Sequence, residues 1–295
     1  MIEQLNKHPK NPSRVVVLGA SGFVGSSVAD KLEAEAIATL RLGRSEVDLL
    51  QENAAKSLAN YIQPEDSLVI VSAMAPVKNN SMLAYNITMM KNICDALELS
   101  RVSHVIYISS DAVYADQVGP LTEASSAEPG SLHGIMHLAR EVMLKNVVSV
   151  PLAILRPTLI YGVKDPHNGY GPNRFCRLAA AGEEIILFGE GEEQRDHIFV
   201  DDVAELVCLM LKYKSCGILN AASGRVVSFR QIAELIVSQF EPSLPIMFSP
   251  RNGEMPHNGY RPFDVQAIGS AFPDFSITSL EEGLIGDYNL SVRND

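Results

Sequence analysis

The segment "VVVLGASGFVGSSVADKL" constrains this chain more than any other: an apolar run, then Gly19, Gly22 and Gly25 at three-residue spacing, then an amphipathic stretch. It reads as a strand feeding a helix through a tight glycine turn. Such a turn lets the backbone approach a ligand closely, and the helix N-terminus behind it offers unpaired N–H groups and the positive end of a dipole to a pyrophosphate. The spacing differs from the commoner Gly-x-Gly-x-x-Gly fingerprint, and a purely structural glycine turn is the alternative reading.

From Arg14 onward short apolar runs alternate with amphipathic stretches: "RVVVLGA", "FVGSSVADKLEAEA", "IATLRLG", "LLQENAAKSLANYI" and "SLVIVSAMA". A helix near Met82 to Leu99, a strand "HVIYISS", a helix through "SLHGIMHLAREVML" and a strand "VPLAILRP" continue the pattern. Strands alternating with helices imply an α/β fold with a parallel sheet covered on both faces. After Tyr161 the alternation stops, and residues 162–174, "GVKDPHNGYGPNR", read as a long loop, which in a compact fold is more often functional than idle. The expected layout is a cofactor lobe over 14–160, rejoined by about 196–222 through "HIFVDDVAELVCLMLKY" and "GILNAAS". A smaller lobe would take 161–195 and 223–290, and a polar tail 1–13.

With 295 residues, 46% of them hydrophobic, the chain is able to bury a sizeable core. Lys plus Arg number 24 against 35 Asp plus Glu, and the net charge of -11 disfavours nucleic acid and anionic membranes as partners. Cys94, Cys176, Cys208 and Cys216 are scattered, as in a reduced cytoplasmic protein. The opening "MIEQLNKHPKNPSR" has no apolar run to serve as a signal peptide, and no later stretch has the length of a membrane span, so a cytoplasmic location is expected.

At the end of the second strand, where an acidic residue would accept the adenosine ribose hydroxyls, the chain reads "LRLGRSEVDLL". Arg41, Arg44 and Ser45 stand there instead, and a guanidinium suits a 2′-phosphate. NADP is therefore expected, with NAD as the alternative. A solvated arginine at a strand end is the simpler account of either Arg alone.

Several segments together resemble the extended short-chain dehydrogenase/reductase family, the nucleotide-sugar epimerases, dehydratases and ketoreductases. "GASGFVG" is similar to its cofactor loop, "DLL" at Asp48 to its adenine-contacting Asp-Leu, and "YISSDAVYA" to its "ISSxxVYG". Likewise "RPTLIYG" is similar to "RPxNVYG", "FGEGEEQRDHIFVDDVAE" to "GDGxQxRDFIYVDDVA", and "YRPFDVQAIGSAFPDFSITSLEEGL" to the family's closing motif. The resemblance runs in order from Arg14 to about Tyr288.

It implies a Rossmann-type doubly wound sheet with a smaller C-terminal substrate lobe, and chemistry in the cleft between them. A nicotinamide dinucleotide would be held by Gly19, Ser21, Gly22, Phe23, Val24, Gly25, Arg44, Asp48, Leu49, Ser72, Ala73, Met74, Asn86, His137 and Pro157. Ser110 matches the catalytic Ser/Thr that bonds the oxygen on the reacting carbon, with Ser109 the less favoured register. Asp111 matches the acid of the 4,6-dehydratases, but Ala112 replaces their following Glu, which argues against dehydration. Arg195, assisted by Arg261, would meet the substrate diphosphate. Leu159 replaces a substrate-contacting Asn.

The family's catalytic helix carries Tyr-Gly-x-Ser-Lys. Laid over "LHGIMHLARE", the Tyr position is His133, Gly134 is kept, the Ser is Met136 and the Lys position is His137. No Tyr-x-x-x-Lys occurs anywhere in the chain. The two histidines lie on one helix face, and an imidazole titrating near ~6.5 needs no cationic neighbour to move protons at neutral pH. His133 is thus the expected proton donor and His137 a ribose contact or relay; two charged imidazoles would repel, so one should stay neutral. A zinc site is disfavoured because Gly134 stands where a metalloprotease needs Glu. An inert helix surface, or a non-catalytic dinucleotide-binding protein with a sensing role, are the remaining alternatives. Within the enzyme reading a 4-ketoreductase is preferred to a 4-epimerase because of Arg41 and Arg44, and the family implies a homodimer built on the helix "SMLAYNITMMKNICDALEL" and the His-bearing helix.

Overall fold

The computed structural model describes residues 2–239 and 244–285. In chain order the elements begin with β1 (Glu3–Gln4), β2 (Val15–Leu18), α1 (Phe23–Ala34), β3 (Thr39–Leu42), α2 (Ala54–Ala59), β4 (Ser67–Ile70), α3 (Asn80–Leu99) and β5 (His104–Ile108). Next come α4 (Leu132–Val147), β6 (Leu152–Pro157), β7 (Leu159–Tyr161), α5 (Pro172–Ala180), β8 (Ile185–Phe188), β9 (Gln194–Phe199), α6 (Val200–Lys212) and β10 (Ser215–Ala221). The described chain closes with β11 (Val226–Ser228), α7 (Phe229–Val237), β12 (Ile246–Ser249), β13 (Tyr260–Arg261) and α8 (Gln266–Ala271).

Strand β2 is apolar at every position because both faces of a parallel sheet are covered. Val15 and Val17 enter one core with α1 and α6, while Val16 and Leu18 enter the other with α2, α3 and α4. The sheet order is β1-β10-β6-β5-β4-β2-β3, parallel throughout except for β1. This is the expected doubly wound α/β fold. Succession reverses between β2 and β4, and open α/β sheets bind ligands in the crevice outside the strand ends at such a point. The loops after β2, β3 and β4 carry Gly19–Gly25, Gly43–Leu50 and Ser72–Met74 there.

Residues 1–13, read as a polar tail, are in part built into the sheet. Glu3 and Gln4 pair antiparallel with Cys216 and Ser215, and the N–H groups of Asn6 and Lys10 donate to the carbonyls of Tyr213 and Lys212. Backbone pairing at a sheet edge requires no apolar side chain, so composition does not reveal it.

The smaller lobe holds a sheet in the order β11-β9-β13, with β7 also paired to β9, and a separate β12-β8 pair. Its core gathers Tyr161, Phe175, Ile185, Leu187, Phe229, Ile232 and Ile236. Strand β7 pairs with β9 across the expected boundaries at 161 and 195, and Ile198 of β9 packs into the core beside α1 and α6. Within the span assigned to that lobe, Ile268 of α8 and Phe272 pack into the large lobe's core. The end of the span, 286–290, and the end of the family resemblance at Tyr288 lie outside the described residues.

Buried histidines set the acid side of stability. Burial pushes the pKa of His104 down to about 4, against the bond of Nε2 to the Ser215 carbonyl at 2.7 Å. Burial and the charge of Arg195 take His197 to about 3. A depressed histidine means the unfolded chain holds more protons below pH 6.5, so stability falls as pH drops from 6.5 toward the folded value. Asp196, pushed up to about 6 by burial, has the opposite sign between pH 3.8 and 6 and offsets part of the loss. The expected result is a fall in urea-unfolding free energy between pH 6.5 and 4, of which His104 accounts for roughly 3 kcal/mol. His104→Gln should flatten that slope; an unchanged slope would show that His104 titrates normally.

Candidate active site

The first turn of α1 lies against the end of β2. A Cβ on Gly25 would stand 2.1 Å from the Gly19 carbonyl oxygen, which no other residue type tolerates. The helix begins at Gly22 with no side-chain cap, leaving its first N–H groups for a ligand. These residues border a cavity of about 330 Å³ lined by Gly19, Ser21, Gly22, Phe23, Val24, Gly25, Arg44, Asp48, Leu49, Ser72, Ala73 and Met74. The Ser72 hydroxyl is buried there with no partner. A backbone cradle only glycine can form, an uncapped helix end and an orphaned hydroxyl fit the pyrophosphate and ribose of a dinucleotide. A larger groove, about 850 Å³, runs along α1 and α6, but its carboxylates, among them Asp30, Asp201, Glu205 and Asp274, would repel a diphosphate.

Asn86, His137 and Pro157, expected among the cofactor contacts, do not line the cavity. Asn86 is fully buried and clamps the loop from behind: its Oδ1 accepts from the Met74 N–H at 2.9 Å and its Nδ2 donates to the Met74 carbonyl at 3.0 Å. Pro157 is buried beside Ala221 in the sheet. Arg41 is bound on α1, where Nε donates to Glu33 at 2.8 Å and Nη2 to Asp30 at 2.7 Å. Arg44, by contrast, is 79% exposed and reaches Asp48 only at 3.4 Å. Ser45 donates to Glu46 at 2.7 Å, and the other oxygen of Glu46 accepts the Gly43 N–H at 2.7 Å, which closes the turn after β3.

Helix α4 starts at Ser131, whose hydroxyl accepts the Gly134 N–H at 3.1 Å. A Cβ on Gly134 would stand 2.0 Å from the Ala112 carbonyl oxygen, so the helix start presses on the 111–113 turn that Ser110 caps. That contact packs the residue after His133 against the turn that follows Ser110. The Ser110 hydroxyl accepts the Ala112 N–H at 3.1 Å and donates to Asp111 at 3.4 Å. Ser109, the other register, is committed to Glu141 at 2.7 Å. Burial lowers the His133 pKa against the pull of Asp111, and its Nδ1 is buried with no partner among the described residues.

His137 lies under His133, the rings edge to face with centroids 4.8 Å apart. Its Nδ1 bonds the Tyr107 hydroxyl at 2.8 Å, and burial, with His133 and Arg140 nearby, holds its pKa well below 6.5. One imidazole of the pair is therefore kept neutral. Arg140, which sequence reasoning passed over, is fully buried. Its Nη2 donates to the Ser72 carbonyl at 2.7 Å, its Nη1 meets the Met136 sulfur at 3.8 Å, and its guanidinium stands 5.2 Å from the Tyr107 ring centroid. Among the described residues no carboxylate pairs with it. An arginine three positions after His137, on the buried face of the same helix, was the available signal.

Arg195 is nearly buried, its Nη1 has no partner among the described residues, and Glu193 stands 3.8 Å away. Burial lowers its pKa, against the charges of Asp111 and Glu193. Arg261 is buried and already occupied: Nε donates to Asp111 at 3.1 Å, Nη1 to Asp116 at 2.7 Å, and Nη2 to the Asp111 carbonyl at 2.8 Å. It positions Asp111 rather than offering free donors. Asp116, His257, which bonds Asp116, and His167, which lines the dinucleotide cavity, were not singled out by sequence.

Residues 15–222 match the NAD dependent epimerase/dehydratase family. GDP-mannose 3,5-epimerase 1 of Oryza sativa subsp. indica is 25% identical over 281 residues, covering 84% of this chain and 74% of the relative. The crystal structure of a GDP-L-fucose synthetase from Naegleria fowleri bound to NADP superposes with a TM-score of 0.83 at 18% identity, covering 99% and 97% of the two chains. UDP-glucuronic acid 4-epimerase from Bacillus cereus, in complex with UDP-glucuronic acid and NAD, gives 0.78 at 19% identity, covering 96% and 100%. At these identities the two structures speak for the fold.

Proposed function

The chain belongs to the NAD-dependent epimerase/dehydratase family, and from that premise we propose that it is an NAD(P)-dependent oxidoreductase or epimerase acting on a nucleotide-activated sugar, with 4-keto reduction favoured over 4-epimerisation. The observation that carries this reading is the cavity bordered by the Gly19–Gly25 turn; the packing of the α4 start against the turn after Ser110 and the Nη1 of Arg195, without a partner among the described residues, support it. A bound nicotinamide would supply or take up the hydride. Ser110 bonds the oxygen on the reacting sugar carbon, His133 moves the proton at that oxygen, and Arg195 holds the diphosphate in a charge-assisted pair. His137, neutral and tied to Tyr107, supports the His133 ring. Arg140 provides the fixed positive charge that the missing lysine does not.

NADP is preferred because Arg44 is exposed and weakly held, able to close on a 2′-phosphate, whereas Arg41 is already neutralised by Glu33 and Asp30. Exposed Tyr85, Ile135 and Val142 on α3 and α4 support a homodimer through these helices. Among the described residues no helix is long and apolar enough to cross a membrane, and with the scattered cysteines this supports a cytoplasmic protein.

The test is to identify the nucleotide that co-purifies with the chain and to follow nicotinamide absorbance against 4-keto and 4-hydroxy sugars carried on UDP and GDP. The expected result is NADPH consumption with a 4-keto sugar, abolished in Ser110→Ala. Tight dinucleotide binding with no turnover on any of them would instead establish the non-catalytic binding protein.

A further inference from the structure

Arg140 is fully buried on α4, and a guanidinium keeps its proton in proteins. None of its neighbours supplies the opposite charge. Nη2 donates to the Ser72 carbonyl at 2.7 Å, Nη1 meets the Met136 sulfur at 3.8 Å, and Nε is buried with no partner among the described residues. The Tyr107 ring, 5.2 Å away, is a neutral phenol, because burial pushes its pKa up to about 12 against the pull of Arg140. His137, bonded to that phenol, is held neutral as well. Glu141 is the next residue in the chain, but Arg156 bonds both of its oxygens. A buried charge met only by a carbonyl dipole, a thioether and an aromatic face is a cost to the fold.

That charge lies one residue behind the dinucleotide cavity, since Ser72, whose carbonyl Arg140 holds, lines it. Ser72 is also pressed onto the first glycine of the turn. A Cβ on Gly19 would come 2.6 Å from the Ser72 nitrogen and 2.8 Å from its Cα. Two residues on, Asn86 clamps both backbone groups of Met74. The loop after β4 is therefore held from α3 by a neutral amide and from α4 by a cation. Arg44, the arginine on the cavity lining, is largely exposed and faces Asp48, so water and salt screen it.

Resting on the reading of this cavity as a dinucleotide site, we propose that Arg140 is the site's built-in countercharge, a positioning residue that holds the Ser72 wall and attracts a bound diphosphate through it. In the free chain the cation is uncompensated. A diphosphate in the cavity brings the missing negative charge across a wall of low dielectric, where neither solvent nor salt weakens the attraction much. Part of the affinity is thus relief of a cost that the free fold carries. Removing the charge should then ease the free chain and weaken the complex, whereas a residue that only braced the structure would weaken both when removed.

The experiment uses the full chain carrying Arg140→Met or Arg140→Lys, with urea unfolding in the absence of nucleotide and binding calorimetry with ADP and with adenosine. The urea midpoint of Arg140→Met should equal or exceed that of the wild type, because a methionine fills the space without a charge to bury. Its affinity for ADP should fall on the order of 10-fold, in low and high salt alike, while its affinity for adenosine, which has no phosphate, stays unchanged. Arg140→Lys should recover most of the ADP affinity. A lowered midpoint or a failure of Arg140→Met to fold would make Arg140 a structural brace and overturn the proposal. Equal losses for ADP and adenosine, or no recovery with lysine, would overturn it too, by tracing the effect to pocket shape. If the wild type binds ADP and NADPH and Arg140→Met binds them equally well, the countercharge falls and the dinucleotide reading stands; if the wild type binds neither, both fall.

Discussion

Glu141→Ala is expected to lose about 3–5 kcal/mol of folding stability, read as a drop in the urea midpoint with an unchanged slope. The carboxylate is fully buried, and Arg156, 3% exposed, grips it with two prongs: Nη2 to Oε2 at 2.6 Å and Nε to Oε1 at 2.9 Å. Burial alone would raise the Glu141 pKa, but the Arg156 guanidinium and the Ser109 hydroxyl hold it below its ordinary value. Removing the carboxylate leaves an enclosed guanidinium beside the Tyr114 ring, 4.8 Å away, with no other carboxylate paired to it among the described residues. An isolated buried charge is far costlier than the pair it came from, which is why the double variant Glu141→Met with Arg156→Met should recover most of the loss. The same carboxylate ties α4 to β6 and, through Ser109, to the strand that delivers Ser110. Some activity should therefore disappear before the fold does. A loss under about 1 kcal/mol would mean the ion pair only balances its own desolvation.

What was legible in the chain followed from backbone period and close approach. The unbroken apolar run of β2 and the glycines behind it specify a buried parallel strand and a backbone cradle without reference to any distant residue, and the cavity is where that pattern puts it. Arg41 and Arg44 show the limit: they flank one strand end and look interchangeable, yet Glu33 and Asp30 on α1 capture one and leave the other exposed. No local pattern encodes which carboxylates a neighbouring helix will present. Arg261 is similar, a motif residue whose donors are taken up by Asp111 and Asp116, some 150 positions upstream. His167 was hidden differently: a Gly, Pro and Asn-rich loop has no period by which to choose among its residues, so the place of His167 at the cavity wall is set by the fold alone. Strand β1 escaped notice because its pairing is made by backbone groups alone.

His133→Ala should reduce turnover by about 10²–10⁴-fold, the ordinary contribution of a positioned acid or base, while leaving dinucleotide affinity nearly unchanged because residue 133 does not line that cavity. The pH dependence identifies the group more sharply than the rate. On the role proposed for it, His133 accepts a proton in the oxidative direction, so wild-type kcat should be level above pH 6.5 and fall as pH drops through a value below 6.5, since burial depresses this imidazole. That acid limb should vanish in His133→Ala along with most of the rate. A phenol in this position would place its limb far higher, and it would need a cation beside it. Here the cation has moved: Arg140 is buried three positions beyond His137 and already bonds the Ser72 carbonyl. A lysine at 137 would add a second buried positive charge next to it, and the buried carboxylate four positions on, Glu141, is already held by Arg156. The charge arrangement of α4 thus suits neutral rings at 133 and 137, as the proposed function requires, and a His133→Ala variant that kept both its rate and its acid limb would show that the proton comes from elsewhere in the cleft.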